Sequence, residues 1–254
     1  MKKWFGLVGL FLSSYIAFLI ATIPVALLLN NVSLPKNIQI SGAQGTIWNA
    51  NVEQITFGKL TLDNVSSELS FLSLLSLSPT VKLSFGDALL TTPEGELTIS
   101  MSSEEFNLSN ASLFMKANDV TSQLALPLPV TALGNVELSV EEMTFHYQQN
   151  NFNTLECTEA KGRATWQGAG VIALEQNVKL GRFNANLTCS DKAIKVTVDP
   201  NNDLGLSFNL YARMNKRLTG DGFLQPGEKF PKVLENALPF LGNKNAQGQY
   251  LLKF

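Results

Sequence analysis

The chain has 254 residues, a net charge of −2 and only 16% charged residues. That balance offers no basic surface for nucleic acid or anionic lipid. One histidine and two cysteines are too few for an ordinary four-ligand zinc site.

From Trp4 to Leu29 no side chain carries a charge. A helix of that length runs roughly 39 Å at about 1.5 Å per residue. It can cross a hydrocarbon core of about 30 Å with tilt to spare. Lys2 and Lys3 precede the run and only Lys36 follows it closely. The positive-inside bias therefore leaves a cytoplasmic tail of residues 1–3 and carries residues 30–254 across the membrane, outside the cytosol. The run exceeds the apolar region of a cleaved signal, and residues 23–29 lack a small-residue cleavage pattern, so a retained transmembrane helix over 4–29 is expected. Pro24 and the Ser13-Ser14 pair are tolerable in such a helix.

Beyond the span, Ser, Thr, Asn and Gln are abundant and apolar residues recur every second position. This predicts a mainly β, antiparallel domain over 30–254 and argues against a disordered tail. A polar exit segment enters a strand at Ile38-Ile40, and alternation follows through Ile55, Phe57, Leu60, Leu62, Leu69 and Phe71. Leu72 to Leu77 breaks the pattern and predicts a short helical turn before Pro79. Strands resume at Val81-Phe85, Leu97-Met101 and Phe106-Leu108, with turn signals at Gly86-Asp87 and Thr92-Gly95.

Pro127 and Pro129 cannot donate to a strand ladder. The run from Leu126 to Val130 is therefore expected to be a hinge between halves of about 30–126 and 130–254. The second half alternates through Val136-Val140, Phe145-Tyr147, Ala164-Trp166, Phe183-Cys189, Ile194-Val198 and Leu204-Leu210. Phe230, Val233, Leu234, Ala237, Leu238 and Leu241 then recur at helical spacing, predicting one short amphipathic helix, and Tyr250 to Phe254 forms a last strand. A weak echo links the halves: a strand with Trp48 precedes Phe57-Gly58-Lys59-Leu60, and one with Trp166 precedes Leu180-Gly181-Arg182-Phe183. Two similar hairpins would give the same echo without any repeat.

No residue pattern supports catalysis. The sole histidine, His146, sits between Phe145 and Tyr147 in a strand, where a surface or rim position is the ordinary outcome. Glu104-Glu105 and Glu141-Glu142 are adjacent, so on strands they face opposite ways and form no carboxylate dyad. No nucleotide, hydrolase-elbow or metalloprotease motif occurs, and no cofactor is implied. The triplets Asn64-Val65-Ser66 and Asn186-Leu187-Thr188 are expected by chance in this composition. Trp48 and Trp166 are expected to pack in the core.

Cys157 and Cys189 stand 32 positions apart. An oxidising compartment follows from the topology, so a structural disulfide is expected between them; C-x-x-C redox spacing is absent.

Residues 40–50 read Ile-Ser-Gly-Ala-Gln-Gly-Thr-Ile-Trp-Asn-Ala, and a leucine-rich segment (72–77) and Leu133-Gly134-Asn135-Val136-Glu137-Leu138 follow. With the N-terminal span, these segments resemble the protein N family of the bacterial type II secretion system over essentially the whole chain. The resemblance implies a single-pass inner-membrane protein with a periplasmic domain. Its implied role is accessory to export of folded proteins across the outer membrane, alongside other inner-membrane components of the apparatus. It supplies no catalytic residues, and its leucine-rich segment is usually longer and more basic than the one here. The same segments are similar, more distantly, to AsmA-like membrane-anchored proteins. That likeness implies a curved, U-shaped sheet with an apolar inner face that could hold lipid acyl chains; alternation alone is equally compatible with a closed core.

Overall fold

The computed structural model describes residues 2–31, 38–87, 93–123, 131–148, 151–173, 176–213 and 218–253. The expected hinge at 126–130, with Pro127 and Pro129, lies outside the described residues, as do part of the exit segment and Phe254.

The uncharged leader divides into two helices, α1 (Lys2–Ala21) and α2 (Val25–Asn31). Three local effects end α1. Thr22 turns its hydroxyl back onto the Phe18 carbonyl at 2.8 Å. Ile23, preceding a proline, is disfavoured in the α region, and Pro24 has no N–H to continue the ladder. The uninterrupted helix is therefore 20 residues long, or about 30 Å, rather than the full apolar run. Trp4–Ala21 remains long and apolar enough to cross a bilayer, and none of it is buried against the rest of the protein.

The remaining chain forms one open antiparallel sheet. Its strands are β1 (Ile38–Ser41), β2 (Gln44–Gly45), β3 (Asn49–Phe57), β4 (Leu60–Leu69), β5 (Thr80–Phe85), β6 (Glu94–Met101) and β7 (Glu105–Lys116). They continue with β8 (Thr131–Gln148), β9 (Asn151–Ala173), β10 (Gln176–Ser190), β11 (Ala193–Val198), β12 (Leu206–Ala212), β13 (Thr219–Leu224) and β14 (Tyr250–Lys253). Spatial order follows sequence order from β1 through β3 to β14, with β2 beside β3. Two short helices, α3 (Phe71–Leu75) and α4 (Ala117–Gln123), interrupt the meander. The leucine-rich segment supplies α3, as its broken alternation predicts. Nothing in the sequence signals α4, a seven-residue, largely polar turn too short to show a helical period.

Register explains the alternation. Residues directly opposite on neighbouring strands project to the same face. One such row runs Phe85–Gly95–Leu113–Leu138–Ala164–Ala185–Val198–Phe208–Gly222–Leu252 from β5 to β14. The adjacent row, on the opposite face, runs Ser84–Glu96–Ser112–Ser139–Arg163–Asn186–Thr197–Asn209–Asp221–Lys253. One face is thus apolar across ten strands and the other polar. The polar row is tied by short side-chain bonds: Ser66 and Ser84 hydroxyls lie 2.7 Å apart, and the Thr197 hydroxyl donates to Asn209 Oδ1 at 3.1 Å.

Long strands carry bulges that shift the phase of this pattern. In β8 the apolar set Val136, Leu138, Val140 continues as Met143, Phe145, Tyr147, one position out of step. The register shift lies between Val140 and Glu142. Two strands are expected there from sequence, and the structure joins them into one because a bulge inserts a residue without breaking the ladder. In β10 the same slip separates Leu180 from Phe183 at Gly181, whose φ of +82° suits glycine and where a Cβ would collide with Asp203. Gly58, its counterpart in the sequence echo, instead sits in the β3–β4 hairpin turn with φ +61°.

The expected C-terminal helix is a 3-10 helix, Lys232–Leu241. Pro239 lies inside it and supplies no N–H for an α turn. Leu234 and Leu238 pack on the cluster of Leu224, Phe230 and Tyr250, covering the β13–β14 end of the apolar face. Two further clusters lie along that face, one around Ala169, Val178, Leu180 and Phe183 and one around Val140, Met143 and Leu187. Gly162 stands between Val140 and Leu187 in the ladder. A Cβ on Gly162 would come within 3.2 Å of Val140 Cγ2, so the bare backbone lets those side chains close over it. Along the apolar row Leu113, Leu138, Val198 and Phe208 are only half-buried.

Candidate interaction surfaces

Among the described residues no group of three His, Cys, Asp or Glu is placed to hold a metal ion. His146 is half-buried on β8, opposite Glu105 on β7 and Glu156 on β9. Glu156 pairs with Lys192 at 2.9 Å. The adjacent glutamates have separate partners. Glu141 pairs with Lys161, while Glu142 Oε1 accepts from Asn107 Nδ2 at 3.0 Å. Glu104 is in the β6–β7 turn and Glu105 opens β7. These arrangements are solvated charge pairs with little energetic weight, and they place no acid and base around a common reacting atom.

The cysteines form a disulfide, with Cα atoms 5.5 Å apart. Direct β9–β10 pairing ends at Gly162–Leu187, so the cross-link ties the two strands beyond their ladder. The Cys157 N–H also donates to the Lys192 carbonyl at 3.2 Å. Beside this bridge is a cavity of about 400 Å³ lined by Phe106, Phe145, Leu155 and Ile194, with Lys192 and Arg213 among its lining residues. A larger, polar recess of about 600 Å³ lies on the other face, lined by Glu137, Ser139, Lys161, Arg163 and Asn186 among others.

The two tryptophans serve different ends. Trp166 stacks on Phe183, ring centroids 5.6 Å apart, and donates its indole N–H to the Leu133 carbonyl at 2.8 Å. It belongs to the sheet's own packing. Trp48 lies in the bend between β2 and β3 and donates to the Ile20 carbonyl at 3.0 Å. It thereby satisfies one of the carbonyls left open at the end of α1. Ile47 N–H donates to the Ile23 carbonyl at 3.0 Å, and Pro24 forms an antiparallel bridge with Thr46. Thr46, Ile47 and Trp48, which lie within the segment 42–50 that carries the resemblance most specifically, thus form the joint between the apolar helix and the sheet. Sequence reasoning placed Trp48 in the core and missed this role, because a contact to a backbone carbonyl of a distant helix leaves no periodic trace.

The family model for type II secretion system protein N matches residues 36–253. Three relatives carry the name "Type II secretion system protein N". One from Aeromonas hydrophila is 28% identical, covering 100% of this chain and 98% of its own. One from Vibrio cholerae serotype O1 is 22% identical over 98% and 97% of the two chains. One from Pectobacterium carotovorum subsp. carotovorum is 26% identical over 97% and 91%. No solved structure matches the chain. The match spans the whole sheet, and the alignments take in the apolar helix as well, so the chain belongs to the type II secretion system protein N family.

Proposed function

We propose that this protein is an accessory inner-membrane component of a type II secretion system, acting in export of folded proteins across the outer membrane. It works by contact and placement, without a reaction of its own. The observation that carries this reading is the family match across residues 36–253, joined to an N-terminal helix able to cross a bilayer. Lys2 and Lys3 set the orientation, with residues 1–3 in the cytoplasm and the sheet in the periplasm. Confinement to the membrane surface raises the effective concentration of the sheet toward other inner-membrane components, so weak contacts suffice.

Deletion of the gene tests the role. Exported enzymes should remain folded and active but accumulate in the periplasm, and the culture medium should lose their activity; unchanged export would overturn the proposal. Orientation has its own test. A reporter that needs periplasmic export, fused after Phe254, should be active, and activity of a cytoplasm-dependent reporter there would reverse the topology.

A second reading, a groove for lipid acyl chains, has two observations in its favour. The apolar row from Phe85 to Leu252 is only half-buried, and the 400 Å³ cavity beside the disulfide combines apolar walls with two cationic residues. Normal export in the deletion strain, with altered outer-membrane permeability and lipid copurifying with the protein, would favour it.

A further inference from the structure

The break in the leader gives a depth scale. With α1 about 30 Å long, Ala21 reaches one hydrocarbon boundary when the Lys2 end is at the other. At that end the indole of Trp48 holds the Ile20 carbonyl, an ordinary place for tryptophan at a membrane boundary. The Trp48 ring also meets Phe71 edge-on, centroids 5.5 Å apart. Phe71 is the first residue of α3, so α3 lies one aromatic contact away from the end of the membrane helix.

The side chains of this segment are turned outward. Leu72, Leu75 and Leu77 are 74%, 71% and 84% exposed, and Phe71 is 57% exposed. Its polar atoms are bonded mostly within the segment. Ser73 Oγ donates to the Ser70 carbonyl at 2.6 Å and accepts the Thr80 N–H at 2.8 Å. Ser76 Oγ donates to the Ser73 carbonyl at 2.9 Å, and the Leu77 and Ser78 N–H groups bond within the same turn. Four large apolar side chains in so short a stretch would be unfavourable in water. An internally bonded backbone beneath them suits a medium that offers few hydrogen bonds.

We propose that α3 and Leu77 insert into the bilayer interface beside the end of α1, giving the β domain a second membrane contact. The inference rests on the reading of α1 as a bilayer span. The occupant is lipid because the patch continues directly from the helix end through Trp48 and Phe71. The contact would fix the tilt and rotation of the sheet over the membrane: α1 alone is a single pivot, while α1 and α3 together define an edge.

The test uses the full chain in phosphatidylcholine nanodiscs holding one copy each. An environment-sensitive fluorophore is attached in turn at Leu75→Cys, Leu72→Cys, Val8→Cys in α1 and Ser139→Cys on the polar sheet face. Lipids with a quencher near the headgroup or deep in the chain read its depth. Probes at 72 and 75 should be blue-shifted and quenched several-fold more by the shallow quencher than the probe at 139, and the probe at 8 by the deep quencher. Quenching at 8 but not at 72 or 75 overturns the proposal while leaving the span intact. A blue shift at 72 and 75 without lipid quenching also overturns it, since protein would then cover the patch. An unquenched probe at 8 overturns the span itself, and the proposal with it.

Discussion

Val140→Asp should lower the stability of the β domain severely, while Ser139→Asp should change it little. The two positions are neighbours on β8 and face opposite ways. Val140 is 2% exposed and packs with Met143 and Leu187, among Leu108, Leu138 and Val196. A carboxylate there has no cation within that cluster and cannot reach water, which costs about 3–5 kcal/mol. Against a total stability of about 5–15 kcal/mol, such a loss leaves the domain at the margin. Ser139 lines the open polar recess with Lys161 and Arg163 and stands directly opposite Arg163. An aspartate there gains a solvated partner, and a change within about 1 kcal/mol is expected. Thermal unfolding of the full chain in detergent, followed by near-ultraviolet circular dichroism, separates the two. Equal effects would mean that the faces do not differ as the ladder implies.

Replacing Cys157 and Cys189 together with serine should lower the unfolding temperature by roughly 7–15 °C. The chain-entropy model assigns about 3.7 kcal/mol to a loop of this length as an upper figure, and about 2–4 °C accompany each kcal/mol in domains of this size. The sheet itself should still form, because most of the burial lies along the strands. In full-length protein isolated from membranes without reductant both thiols should resist alkylation until reduced. Two freely reactive thiols would show that the bridge does not form in the cell.

The strands were legible because one apolar and one polar residue alternate wherever the ladder is regular, as in Leu204 to Leu210 or Ile194 to Val198. Bulges hid the length of β8 and β10: a period-two pattern that slips at Glu141 or Gly181 looks like two strands with a turn between them. The leader looked like one helix because hydropathy does not register a break in the helical bonding, while Thr22 and Pro24 supply it locally. The 3-10 helix was readable as helical from its leucines, but its tighter pairing depends on Pro239. The joint at Trp48 could not be read at all, since it depends on a tertiary hydrogen bond to Ile20.

The strictly sequential strand order bears on how the chain assembles. Every strand from β4 onward pairs with the one made just before it, so loop closure is short at most steps and its entropic cost small. A chain delivered across a membrane behind its N-terminal helix would present β1 to β14 in the order in which they pair. No early strand would wait for a partner from the far end. Growth of this kind resembles the nearest-neighbour build-up of repeat proteins, with the 3-10 helix closing over the β13–β14 end last. Losing strands from the C-terminus would then shorten the sheet by steps and leave the earlier pairs standing, whereas a missing middle strand would leave two edges with nothing to join them.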